Sequence, residues 1–312
     1  MIRLRHLAAI ASLATACRDV SAPDPASNAP YDLLYQSSAS ALDNQPGMFL
    51  LADGAPSRRV LLVGTPMYAA QPRVSADGRW VAYIGPRPED GEGAVWLATT
   101  DGVSRRQVFT TSGELLSRPA PSPDGTRVAF QATDETTGSS TIWIVNADGS
   151  NAHAITTEAH AAPFVHTAPA WSPDGTQVAL AAGPPGSLRL ATMSAEGGPL
   201  TMRTEAASGS DTDPFWSPDG TQLVFTHTTT PALSDIEVLT LAGGARRTLY
   251  AGNAQHPAWS PRGLVVFSAR VGGEAAELYV VPAEGGLPFR VTTNDMSDRH
   301  PNWVLRRAMP LD

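Results

Sequence analysis

Seven polar side chains stand within three places of a recurring proline: His166 and Thr167 ahead of Pro169, Asp211 and Asp213 ahead of Pro214, His256 ahead of Pro257, and Asp298 and His300 ahead of Pro301. Imidazole and carboxylate groups bind divalent metals, exchange protons and hydrogen-bond ligands near neutral pH. If the chain brings them together, His166, Asp211, Asp213, His256, Asp298 and His300 form a candidate ligand site at the mouth of a channel, with any metal unknown. The alternative is a hydrated rim whose polar groups bond one another. Other chemistry is not legible. The sequence contains no His-Glu-x-x-His, Walker loop, Gly-x-Ser-x-Gly elbow or paired-cysteine signature, and it calls for no cofactor. Asn146–Asn151 superficially resembles a calcium loop but lacks the terminal bidentate glutamate.

What would position these residues is a repeat. Pro72, Pro119, Pro169, Pro214, Pro257 and Pro301 follow one another at steps of 43 to 50 residues. That period suits a four-stranded propeller blade. After most of these prolines comes a turn: Ser122-Pro123-Asp124-Gly125, Ser172-Pro173-Asp174-Gly175 and Ser217-Pro218-Asp219-Gly220, with variants at Ser75–Gly78 and Ser260–Gly263. Proline presets φ, aspartate tolerates the next position and glycine supplies positive φ, so each is a hairpin turn. Apolar strands such as Val128-Ala129-Phe130 follow. A second series of turns, among them Asp101-Gly102, Asp148-Gly149 and Glu284-Gly285, closes a second hairpin in each copy.

The two series are out of phase at the ends, because the last proline motif, His300-Pro301-Asn302-Trp303, has no strands after it. This predicts that Pro301–Leu305 is the innermost strand of a blade whose other three lie near residues 32–36, 48–51 and 59–63. The fold class is therefore all-β, a six-bladed β-propeller of four-stranded antiparallel blades, closed by a blade shared between the N- and C-termini. Trp171, Trp216, Trp259 and Trp303 are expected to pack between blades. The arginine pairs Arg58-Arg59, Arg105-Arg106 and Arg246-Arg247 are expected at outer-strand starts.

Residues 1–16 read as a signal peptide, with Arg3 and Arg5 ahead of a short apolar run. Cys17 is the single cysteine, and its place behind Leu13-Ala14-Thr15-Ala16 resembles a bacterial lipobox, which implies lipidation there. An ordinary secretory leader cut near Ala16 is the alternative. Residues 17–30 form the anchor site and a flexible tether, 31–305 the propeller and 306–312 a C-terminal tail. The formal charge of −8 disfavours nucleic acid as a partner. Contact with membrane is expected through the lipid alone.

The Pro-x-Trp-Ser-Pro-Asp-Gly copies, with their apolar-Phe strands and closing segments such as Arg290-Val291-Thr292, resemble the PD40 or WD40-like repeats of TolB-type six-bladed propellers. The resemblance covers residues 31–305 and implies fold more than function. Residues 18–30 are too few for the N-terminal α/β domain of TolB proteins. The resemblance extends to propellers that gate prolyl-oligopeptidases, whose hydrolase domain has no counterpart here, and to a lyase family with histidines on a metal in its channel. The leading expectation is a noncatalytic, monomeric lipoprotein of the bacterial envelope or periplasm that binds an envelope protein, peptide or glycan. The alternative is a metal-dependent polysaccharide lyase or hydrolase using the His/Asp channel residues.

Overall fold

The computed structural model describes residues 31–38, 47–51, 59–61, 69–157, 164–205, 208–230, 232–294 and 296–305. Among them the regular structure is entirely β, in hydrogen-bonded sheets of four, eight, eight and four strands; each eight-stranded sheet is two groups of four joined by a single parallel bridge, Ser140 to Val165 in one and Ser234 to Asn253 in the other. One group holds β1 (Tyr31–Ser37), β2 (Gly47–Leu51) and β3 (Arg59–Leu61) together with the last strand, β24 (Asp298–Leu305). Its order is β24-β1-β2-β3, and β24 runs antiparallel to β1 with Leu33 opposite Trp303. The second comprises β4 (Ala70–Val74), β5 (Trp80–Pro86), β6 (Gly93–Thr99) and β7 (Arg105–Phe109). The third is β8 (Glu114–Pro121), β9 (Arg127–Asp134), β10 (Ser140–Asn146) and β11 (His153–Ala154). The fourth is β12 (Val165–Trp171), β13 (Gln177–Gly183), β14 (Arg189–Ser194) and β15 (Thr201–Met202). The fifth is β16 (Ser210–Trp216), β17 (Gln222–Thr230), β18 (Leu233–Thr240) and β19 (Arg246–Tyr250). The sixth is β20 (Asn253–Trp259), β21 (Leu264–Arg270), β22 (Glu277–Pro282) and β23 (Phe289–Arg290).

The innermost strands β4, β8, β12, β16, β20 and β24 touch in that order, and β24 touches β4 again. Between every consecutive pair of blades lies one apolar cluster. Phe130 and Val128 meet Val95 and Leu97, for example, and Leu34, Met48 and Val304 meet Val81 and Tyr83. Central strands are covered on both faces by neighbouring blades, which is why β13 and β21 read as near-continuous apolar runs. Outer strands face solvent and are short; β11, β15 and β23 are two residues each.

The turn chemistry appears in atomic detail. Ser122, Ser172 and Ser217 each donate Oγ–H to the aspartate two places on, at 2.6 Å, and accept from the backbone N–H five places on at 2.9 Å. These bonds satisfy polar groups that a bare turn would leave open. Trp171, Trp216 and Trp303 are buried and donate Nε1–H to Ala120, Ala170 and Ala258 on the inner strand of the preceding blade, at 3.0 to 3.1 Å. Each indole thus joins apolar packing to a directional bond across a blade interface. Arg105 and Arg246 stand at the starts of outer strands β7 and β19.

Candidate functional site

The residue directly before each repeat proline is left-handed. Gln71, Arg118, Ala168, Asp213, His256 and His300 have φ between 50 and 55°. At the same point all six inner strands slip register against their neighbours, as between Thr212 and Phe215 or Gln255 and Ala258. Such a bulge re-aims a side chain, and a non-glycine residue in this conformation costs on the order of 1–2 kcal/mol. The following proline fixes the chain beyond it. The outcome is that all six residues line one recess of about 40 Å³ in the channel, toward the beginnings of the inner strands.

Within this recess Arg118 forms an ion pair with Asp213, from a strand two places round the ring. Arg118 also donates its backbone N–H to Gln71 Oε1 at 2.7 Å, and Gln71 donates its own to Gln36 Oε1 at 2.9 Å. His256 and His300 lie ring against ring, with centroids 3.8 Å apart. Asn302 donates to Pro72 O at 2.9 Å and accepts from Val74 N at 3.2 Å. Burial lowers His256 to about 4, the nearby arginines reinforcing it against the carboxylate of Asp213. Burial, the neighbouring imidazole and the same arginines push His300 well below the usual histidine range. Burial would raise Asp213, but the charges of Arg118 and Arg73 outweigh it and hold its carboxyl below the ordinary range. At neutral pH the recess therefore presents two neutral imidazoles beside a paired carboxylate.

Asp213, His256 and His300 are thus brought together, and the other sequence candidates are not. His166, three places before its proline, is buried with Nδ1 3.1 Å from Ser140 O and its ring beside Phe164. Asp211 is buried between His227 Nδ1, at 2.7 Å, and the guanidinium of Arg246. Asp298 is buried, accepting from Ser37 Oγ and Asn294 Nδ2. Thr167 donates Oγ–H to Gln131 at 2.6 Å. These residues sit before the bulge, in regular pairing with the second strand, and their side chains are spent on contacts within the blade, for Asp211 and Asp298, or to the preceding blade, for His166 and Thr167. Gln71 and Arg118 belong to the recess although neither is a histidine or an aspartate; their place directly before Pro72 and Pro119 is the sequence signal that marks them. Cys17 lies outside the described residues. Among the described residues no three of His, Cys, Asp and Glu group closely enough to hold a metal ion.

Arg73 closes the recess from one side. It leaves β4, crosses the ring to donate to Pro214 O at 2.7 Å, and lies 4.5 Å over the ring of Phe215. Past it, toward the turn ends of the inner strands, the channel opens into a second recess of about 60 Å³ walled by tryptophan and proline.

No curated protein matches the sequence. Solved structures do. A TolB from Acinetobacter baumannii superposes with a TM-score of 0.71 at 17% identity, over 88% of this chain and 66% of that one, so the chain spans about two thirds of that protein's length. A TolB-type protein from Agrobacterium tumefaciens gives 0.61 at 18% identity, over 88% of this chain and 98% of the other. An oligogalacturonate lyase in complex with manganese gives 0.55 at 16% identity, over 75% of this chain and 73% of the lyase. At these identities the likeness is one of fold. The TolB beta propeller domain family, PD40, matches residues 48–305, and the chain belongs to that family.

Proposed function

We propose that this chain is an exported binding propeller of the bacterial cell envelope, without catalytic chemistry, that receives a segment of another protein at the recess around His256 and His300. The observation that carries this reading is the ring of pre-proline residues held in a costly backbone conformation, which aims Gln71, Arg118, Asp213, His256 and His300 at one point. Neutral imidazoles and carboxamides offer both donors and acceptors, which suits backbone amides and polar side chains. Among the described residues the lining of the recess includes no Phe, Tyr or Trp on which a sugar ring would rest, which favours a protein segment over a glycan. Nor do the described lining residues include a serine, cysteine or lysine that could act as nucleophile, and Asp213 is already engaged by Arg118. That engagement weighs against the alternative of a metal-dependent lyase. Export and a lipid anchor at Cys17 complete the proposal.

Affinity capture from envelope extract, comparing the wild type with a His256→Ala/His300→Ala variant of unchanged melting temperature, tests the binding site. A partner held by the wild type and lost from the variant is the expected result. Equal capture by both, or a stoichiometric metal that the variant loses, contradicts it. Labelling with radioactive palmitate tests the anchor: incorporation should disappear in Cys17→Ser.

A further inference from the structure

The second recess has a chemistry unlike the first. Trp171, Trp216, Trp259 and Trp303 supply its walls with Phe215 and the turn prolines, while Ser75 and Ser217 are occupied by Asp77 and Asp219 at 2.6 Å. Arg73 is the one charged side chain among its lining residues. A guanidinium carries five N–H donors. Among the described residues Arg73 donates one hydrogen bond, to a neutral carbonyl, and the nearest carboxylate, Asp213, is in contact with Arg118 instead. A partly desolvated guanidinium that feels the charge of Asp213 but, among the described residues, contacts no carboxylate, and that borders an apolar recess, is an expensive arrangement. Burial lowers Arg73 to about 10, with the charge of Asp213 opposing it and that of Arg118 adding to it.

We infer that this end of the channel is a binding site for a carboxylate borne next to an apolar group, and specifically for the free C-terminus of a peptide ending in a hydrophobic residue. The carboxylate would take the unused guanidinium donors, a charge-assisted and geometrically matched pairing. The last side chain would lie against the indoles. A free N-terminus is opposed by the like charge of Arg73, and phosphate or sulfate, polar on every side, gains nothing from the apolar walls. This site lies across Arg73 from the recess of His256 and His300 and does not depend on it.

The test uses the full chain and the tripeptide acetyl-Gly-Ala-Leu, as free acid and as C-terminal amide, followed by calorimetry and by the emission of the protein's own tryptophans. The free acid should bind and alter that emission, with the amide at least tenfold weaker. Arg73→Met should abolish the preference for acid over amide. Equal binding of acid and amide to the wild type, no binding of either up to millimolar concentration, or acetate binding as tightly as the tripeptide would each overturn the inference. The acid–amide comparison on unmodified protein holds even if Arg73→Met fails to fold. Because it uses defined peptides rather than envelope extract, it succeeds or fails separately from the capture experiment.

Discussion

His256 and His300, forty-four places apart in sequence and on different blades, meet ring to ring, with centroids 3.8 Å apart and planes tilted by 40°. Both stay neutral well below the usual histidine range, His256 to about 4. The unfolded chain, with histidines near 6.5, binds more protons than the native one between those limits. Stability contributed by the neutral pair is therefore present above about pH 6.5 and is lost as the pH falls toward 4. Thermal melting at pH 7 and pH 5 should show a decrease for the wild type that is clearly smaller in His256→Gln/His300→Gln. An equal decrease in both proteins rules out the pair as its source.

The ion pair of Arg118 with Asp213 should behave as a partly buried one. Asp213 is only 6% exposed, so removing its partner in Arg118→Met leaves a carboxylate stranded. The cost should be about 2 kcal/mol, below the range for fully buried pairs because the arginine side chain is one-third exposed. Replacing both, as Arg118→Met/Asp213→Leu, should recover part of this loss in denaturant unfolding. Additive losses would show that the two groups are not coupled.

Gly125 offers a test of the turn and blade packing together. Its φ is +70°, and a Cβ there would come within 2.1 Å of the Trp80 indole on the neighbouring blade. Gly138 has the same φ with nothing within 4 Å. Gly138→Ala should cost about 1 kcal/mol from backbone strain alone, and Gly125→Ala roughly 1–3 kcal/mol more from overpacking. Equal losses would mean that the indole is not seated over the turn.

What the sequence made legible was what repeats locally. Ser-Pro-Asp-Gly carries its own turn geometry, so hairpins were readable copy by copy, and the unpaired Pro301 motif pointed to β24 lying beside β1. The channel was less legible because side-chain direction there depends on a bulge. Regular alternation cannot tell Asp211, buried against His227 and Arg246, from Asp213, turned into the recess two residues later. The register slip that separates them arises only when β16 pairs with β17. Arg73 was invisible for a similar reason: its partner, Pro214, lies across the ring.

The recess as described requires that β1 and β24 share a sheet, since His300 meets His256 only from β24. In a Cys17→Ser background, Asp32→Cys and Val304→Cys place thiols on residues directly opposite in the β1–β24 ladder. Antiparallel partners stand within disulfide reach. Mild oxidation followed by peptide mass mapping should yield a nearly quantitative intramolecular link between the two terminal strands. Free thiols, or links only between molecules, would contradict the ring and the site built on it.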